Sequence, residues 1–247
     1  MAHSETSLHI ADTGYLLTAA RSHQVTGEYH KALDCFSSLI VTTEPNDYYH
    51  YLRSSTFSEL YQFDRAAEDI RYALQLNPDE AIYYFLLGGY LLSHELTIHG
   101  RIMEQTSHAV MEEIIECYLK SLEKDPTSQE AWLDLLEINV ILRRWDDAIA
   151  CYGTSRPYIT KKSFQLIRSF LGCLALVLAG DTTTPEEEKM LSDKDVVVSS
   201  ETYRFSEIEA LLRDLQKEGY SSARLSLATG IRNRFLCHFH EPLRNAY

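Results

Sequence analysis

The sequence predicts an all-α protein built from antiparallel helical hairpins, and three observations lead there. A ten-residue segment recurs at a spacing of 34, its recurring residues share one helix face, and prolines with polar neighbours stop the helices at matching places. Gly27 to Phe36 returns as Tyr61 to Ile70 with every position displaced by 34. It returns again as Arg143 to Tyr152, a further 82 residues on, which is two periods plus 14.

Each copy carries an aromatic, a small residue three later and a large apolar residue four after that. Tyr29, Ala32 and Phe36 form the first set, Phe63, Ala66 and Ile70 the second, and Trp145, Ala148 and Tyr152 the third. Those offsets fall on one side of a helix. The alanines stand in mid-face, where a lone methyl group lets a preceding helix approach closely. Asn77-Pro78-Asp79 and Asp125-Pro126-Thr127 end such helices, because proline cannot continue the hydrogen-bond ladder and the polar residues beside it cap the next helix. Matching first helices run from Ala81 to Leu91 and from Gln129 to Leu135.

Composition is compatible with this architecture. In 247 residues, 45% hydrophobic and 24% charged content describes a soluble globular chain and excludes wholesale disorder. A net charge of −13 weighs against nucleic-acid binding, which needs a basic surface. Charge is uneven: residues 1–202 hold 16 Lys/Arg and 31 Asp/Glu, whereas 203–247 hold 7 and 5. Cys35, Cys117, Cys151, Cys173 and Cys237 form no CxxC pair and read as free thiols in a reducing, cytoplasmic setting. No basic stretch followed by an apolar run opens the chain, so a secretory signal is not expected. Phe164 to Ala179 is the most apolar stretch, but Gln165, Arg168 and Ser169 interrupt it below the ~20 residues of a membrane span.

With these motifs in place, the units resemble tetratricopeptide (TPR) repeats. Tyr84, Leu87 and Gly88 match the family pattern, as do Trp132, Leu135, Trp145, Ala148 and Tyr152, and Phe63, Ala66, Ala73 and Pro78. Four repeats follow within 1–160, starting near Thr13, Asp47, Ala81 and Gln129. The resemblance implies a right-handed superhelix of helical hairpins. His50 and Leu16 depart from it by replacing the early aromatic, Leu136 replaces a small residue, and Pro45 falls one position late. The 14 extra residues of the third repeat lie within Ser93 to Ser107, and they predict two helices each about two turns longer than usual, with Gly100 at the tip.

Beyond the repeats, 161–180 reads as an apolar packing helix and 181–203 as an acidic linker with one short turn from Pro185. Residues 204–247 read as a capping helical hairpin, since the last hairpin of a repeat array would otherwise expose its core face. Ser206 and Glu209 have capping-box spacing. Ile208, Leu211, Leu212 and Leu215 form a stripe that Gly219 ends, and a last helix from Ser221 to Phe239 places Leu227, Ile231 and Phe235 on one side.

Catalytic and metal chemistry find little support. His94 and His99 are five apart, about 140° around a helix, so they do not converge on one metal as a spacing of four would allow. Cys237, His238 and His240 lack a second ligand cluster, and Glu112, Glu113, Glu116 and Glu186 to Glu188 read as solvated charge. No phosphate-cradling glycine loop or GxSxG elbow is present. The expectation is a non-enzyme without metal or cofactor.

The TPR resemblance places Tyr48, Tyr51, Phe85, Glu130, Leu133 and Glu137 on the inner wall, with Asp134 beside them. Arg21 is the single basic residue at the inward positions, so a peptide carboxylate lacks partners there. The implied partner is a protein or peptide with apolar anchors and a basic flank, bound by a scaffold or adaptor. A rival reading is a homodimer formed through Ser163 to Ala179 or the finger around Gly100, and another is a regulatory subunit of a larger complex. The basic C-terminal helix and Ser7 to Ile10 are candidate internal occupants of the groove.

Overall fold

The computed structural model describes residues 2–101, 106–193, 195–198 and 205–239. Within them the chain forms twelve helices, and the one β-type contact is an isolated bridge between Val198 and Phe239. It divides into two compact units, Met1–Lys124 and Asp125–Tyr247. The boundary falls inside the stretch the sequence assigned to four consecutive repeats.

The first unit holds α1 (Ala2–Val25), α2 (Tyr29–Thr42), α3 (Asp47–Glu59), α4 (Phe63–Leu76), α5 (Ala81–His99) and α6 (His108–Lys124). Consecutive helices pack as hairpins, and each also packs on the hairpin beside it. One core cluster gathers Ala20, Ala32, Phe36, Leu39 and Leu52, and a second gathers Phe57, Ala66, Ile70, Ala73, Tyr83, Leu87 and Tyr90. The mid-face alanines Ala32 and Ala66 have no exposed surface at all.

The turns inside the hairpins repeat as closely as the helices do. Gly27 and Tyr61 both take left-handed backbone, with φ of 75° and 57°. Around each, the following amide reaches back five residues: Glu28 N–H donates to His23 C=O at 2.8 Å and Gln62 N–H to Phe57 C=O at 3.0 Å. This is the Schellman closure, which satisfies carbonyls that a helix end leaves open. In the second unit Arg143 does the same at φ 59°, with Arg144 N–H on Asn139 C=O at 2.9 Å. Three turns thus share one backbone geometry, although glycine, the residue best suited to it, stands at only the first.

The third hairpin is longer, but unevenly. Helix α5 has 19 residues and α6 has 17, against 13 and 14 in the hairpin before. The sequence anticipated two added turns on each helix; α5 gains six residues, close to that, whereas α6 gains only three. Gly100 ends α5 in left-handed backbone at φ 69°. Residues 102–105 of the expected finger lie outside the described residues. At the N-terminus α1 begins well before Thr13, and the backbone of Ser7 to Ile10 continues that helix.

The second unit opens with the hairpin of α7 (Gln129–Ile141) and α8 (Trp145–Ser155), where Ala148 is again fully buried. Next comes α9 (Lys162–Ala179), which packs against α7, α8 and α12 (Ser222–Leu236). Burial on nearly every face explains the apolar composition of α9. That helix is long and apolar enough to cross a membrane, yet it is a core helix here. A homodimer contact through Ser163 to Ala179 is therefore contradicted, because its own unit already covers that surface. Gly172 is required at its position: a Cβ there would stand 2.3 Å from the ring of Tyr152.

Residues after α9 correct the sequence reading twice. The short turn expected from Pro185 is α10 (Pro185–Met190), opened by a full capping box between Thr184 and Glu187, but the acidic stretch is not solvated throughout, because Leu191, Val196 and Val198 are buried. His238 clamps it, with Nδ1 at 2.8 Å from Val196 C=O and Nε2 at 3.0 Å from Leu191 C=O. Both ring nitrogens are thereby engaged by backbone oxygens. Residues 199–204 of the expected linker lie outside the described residues.

The second correction concerns the terminal hairpin. Helix α11 (Phe205–Lys217) already includes Ser206 and Glu209, so they do not form the expected capping box, and Glu209 instead accepts from Arg232 Nε. Ile208, Leu211 and Leu215 are buried as the stripe requires, and Gly219 closes the helix at φ 76°. On α12 the buried face is Ala228, Ile231 and Phe235, whereas Leu227 is 61% exposed. Phe235 stacks on Phe170 of α9 with centroids 4.0 Å apart, a geometry worth about 1 kcal/mol beyond its buried area. Arg224 and the Tyr220 hydroxyl donate to carbonyls at the end of α9, so the basic hairpin neutralises the negative end of that helix. The part of this hairpin from 240 onward lies outside the described residues.

The repeated left-handed turn yields a test at Tyr61, which is strongly exposed. Tyr61→Gly removes the cost of holding a side chain at positive φ and is expected to raise stability in urea unfolding by about 0.5–1 kcal/mol. Tyr61→Val should lower it by at least as much. Equal stability of the two variants would contradict the turn assignment.

Candidate functional site

A sequence-selected set of inner-wall residues separates between the units. Tyr48, Tyr51 and Phe85 belong to the first, and Glu130, Leu133, Asp134 and Glu137 to the second.

In the first unit, α3 and α5 present their aromatic side chains along a tyrosine row. Tyr48 and Tyr51 have centroids 5.9 Å apart, and Tyr51 and Tyr83 are 5.7 Å apart. Tyr48 is 38% exposed, and Ile82, which lies 34 residues further on at the equivalent place of the next repeat, is 41% exposed. Phe85 is half-buried and contacts Tyr118 at 6.1 Å. Tyr51 packs against both core clusters, so it joins the exposed ridge to the interior. The repeat already placed Ile82 among the inward-facing positions, whereas Tyr83 was passed over. The 34-residue period carried the signal for Ile82, since that residue aligns with Tyr48.

Three interactions fix α3, and with it Tyr48 and Tyr51. Asn46 caps the helix by accepting from Tyr48 N–H at 3.0 Å. Asp47 accepts from the Tyr83 hydroxyl at 2.9 Å and from Asn77 at 3.0 Å, tying the start of α3 to the next hairpin. Burial pushes the Asp47 carboxyl up, but those hydrogen bonds outweigh it and leave the group below its ordinary value. Burial and the same carboxylate raise the Tyr83 hydroxyl.

The third is a buried ion cluster at the residue that breaks the repeat pattern. His50 stands where Tyr84 and Trp132 stand in their repeats. Those two aromatics donate to the carbonyl of the proline six residues earlier, Tyr84 to Pro78 at 3.1 Å and Trp132 to Pro126 at 2.9 Å. His50 turns to Asp69 of α4 instead, at 3.0 Å, and its ring lies 4.3 Å from that of Tyr72. Arg53 completes the cluster with a two-pronged bond to Asp69 at 2.7 and 2.8 Å and a third bond to Ser37 at 3.1 Å. Burial raises the Asp69 carboxyl, yet Arg53 and His50 together hold it below the usual carboxylate range.

In the second unit, Leu133 is 8% exposed and belongs to the core, so the structure removes it from the candidate contact surface. Glu130 is exposed on the first turn of α7. Asp134 and Glu137 are half-buried and already engaged in interactions of their own. The histidine pairs give no metal centre: among the described residues no three His, Cys, Asp or Glu side chains converge. His99 pairs with Glu95 at 3.5 Å, His238 is held by backbone carbonyls, Cys237 contacts Asn233 C=O, and His240 lies outside the described residues. Glu113 and Glu116 pair with Arg71 and Lys120, each at 2.7 Å.

No protein-family model matches the sequence, and no curated protein matches it. Solved structures do. A crystal structure of MamA protein covers 84% of this chain and 94% of its own length, with 14% identity and a TM-score of 0.56. The chain has a TPR-like helical-repeat fold. A second MamA crystal structure covers 80% of the chain and 96% of its own length, at 14% identity and a TM-score of 0.56. The first TPR of Spaghetti (RPAP3), solved bound to an HSP90 peptide, covers 53% of the chain and 94% of its own length, at 22% identity and a TM-score of 0.45. At these identities the likeness is one of fold, and the TPR-like chain's own residues must carry any reading of its site.

The Asp69 cluster sets a pH dependence. Asp69→Asn is expected to cost about 3–5 kcal/mol at neutral pH, because it leaves Arg53 facing a neutral group. The folded carboxyl titrates below its unfolded value, so its contribution is complete above about pH 5 and is lost as pH falls through the folded value. Urea unfolding of both proteins should show the gap between wild type and variant closing on acidification. A gap independent of pH would contradict the cluster's role.

Proposed function

We propose that this protein is a non-catalytic scaffold that binds an apolar segment of another protein on the aromatic ridge of its first unit. One observation carries the reading: Tyr48 and Ile82 hold equivalent places in successive repeats and keep large apolar surface exposed next to the ordered row of Tyr51 and Tyr83. Isolated exposed apolar residues are commonplace, whereas two in register beside rigid aromatics form a surface with low ordering cost on binding. Tyrosines are suited to this, because their rings supply contact area while the hydroxyl remains solvated.

The fitting partner has two or more apolar side chains spaced to meet Tyr48, Ile82 and Phe85. The basic flank expected from Glu130, Asp134 and Glu137 concerns the second unit and is not part of this ridge. A cytoplasmic setting belongs to the same proposal, and the five unpaired thiols support it.

Selection from a displayed random-peptide library against the full chain tests the proposal. Enriched peptides should carry paired apolar or aromatic anchors. The Tyr48→Ala, Ile82→Ala double variant should bind them at least about tenfold more weakly, with helicity and unfolding midpoint nearly unchanged because both residues are exposed. Undiminished capture by that variant would refute the ridge as the site.

A further inference from the structure

The second unit contains a cleft of about 920 Å³ between the end of α8, the start of α9 and α10. Its most unusual wall residue is Arg168, which is only 8% exposed. The guanidinium donates through Nε to Tyr152 C=O at 3.1 Å and Ser155 Oγ at 3.2 Å, and through Nη2 to Tyr152 C=O at 2.6 Å. It also lies over the Tyr152 ring at 4.1 Å. These partners are neutral. Among the described residues no carboxylate stands within ion-pair distance of Arg168, and none makes a hydrogen bond with its Nη1.

Arginine keeps its proton in proteins, so this is a buried cation whose direct contacts are dipoles and a ring face, with Glu187 acting on it from beyond ion-pair distance. Burial holds the guanidinium below its ordinary pKa, outweighing the opposing influence of Tyr152 and Glu187. Ser169 adds a second donor on the same wall. It is 5% exposed, and its hydroxyl makes no hydrogen bond among the described residues.

The two carboxylates of the cleft are committed elsewhere. Glu187 accepts from the Tyr152 hydroxyl and from Thr184 N–H, both at 2.6 Å, which fastens α10 as the outer wall. Glu186 meets Arg156 at 3.1 Å in a pair that is exposed on both sides and opens at little cost. The walls carry two cations and two anions, so a bound monoanion leaves the cleft at −1 and a dianion at −2, and the smaller excess is the one that the single open edge of Arg168 can offset. Ile159, Pro185 and Met190 supply apolar wall for the remainder of a ligand, and the volume lies in the range of small-molecule sites.

We propose that this cleft binds an organic monocarboxylate, with the carboxylate on Arg168 Nη1 and the Ser169 hydroxyl and an aliphatic body along Ile159 and Met190. Such a site is separate from the aromatic ridge of the first unit. It makes the second unit a sensor of a small anion as well as the terminal part of a scaffold.

Isothermal titration calorimetry of the full chain with hexanoate tests this, with hexanamide and inorganic phosphate as controls. Saturable binding of hexanoate is expected, with hexanamide and phosphate at least about tenfold weaker because one lacks the charge and the other carries too much. Arg168→Lys keeps the charge but loses the fork, and should weaken hexanoate by about tenfold or more. Ser169→Ala, a change a folded helix accepts, should weaken it by roughly threefold to tenfold. Absence of saturable heat up to about 10 mM hexanoate, equal binding of hexanamide, tighter binding of phosphate, or unchanged affinity in Ser169→Ala would each overturn the proposal. If Arg168→Lys fails to fold, the ligand controls and Ser169→Ala still decide it.

Discussion

Close approach of paired helices at a methyl group is the constraint on which the architecture depends. Ala32, Ala66 and Ala148 occupy one repeat position in three hairpins, and all three are completely buried. Larger side chains there would push the helices apart, and interiors packed as densely as crystals accommodate such a change poorly. Close packing also fixes the turn that joins the helices. The chain reverses through one left-handed residue at Gly27, Tyr61 and Arg143, and two of those positions accept a strained non-glycine residue. That strain of roughly 1 kcal/mol each is outweighed by the apolar surface the hairpin buries.

Much of this was legible because it is periodic. A residue type recurring every 34 positions reports a structural job without any knowledge of contacts, and the helix pairs follow from it. What escaped is what does not repeat. His50 looked like degeneracy, yet it exchanges an aromatic-to-carbonyl bond for a buried ion cluster with Asp69 and Arg53 that sequence spacing could not reveal. The acidic stretch after α9 read as a linker from its composition. Its few apolar residues, Leu191, Val196 and Val198, turn inward and are pinned by His238, some 40 residues away in sequence. Register failed once more at Leu227, because a spacing of four throughout drifts off the buried stripe that Ala228, Ile231 and Phe235 follow.

The candidate site was legible in part for the same reason. Positions facing the inner wall follow from the repeat, so Tyr48, Tyr51 and Phe85 could be named. Whether a side chain at such a position is free or spent on packing depends on its neighbours. Leu133 is spent, Tyr48 remains open, and Tyr51 does both. The buried Arg168 illustrates the complementary case: a charged residue in an apolar helix looked like an interruption of that helix, and only the arrangement of Tyr152, Ser155 and α10 shows that it faces a cleft.

The most direct measurement of the central claim is the urea unfolding of Ala66→Leu beside Glu68→Leu, an exposed control two residues away on the same helix. The account predicts a loss of about 1–3 kcal/mol for Ala66→Leu and a change within about 0.5 kcal/mol for the control. Equal stability of the two variants would show that the helices do not depend on a small residue at their crossing, and would contradict the account.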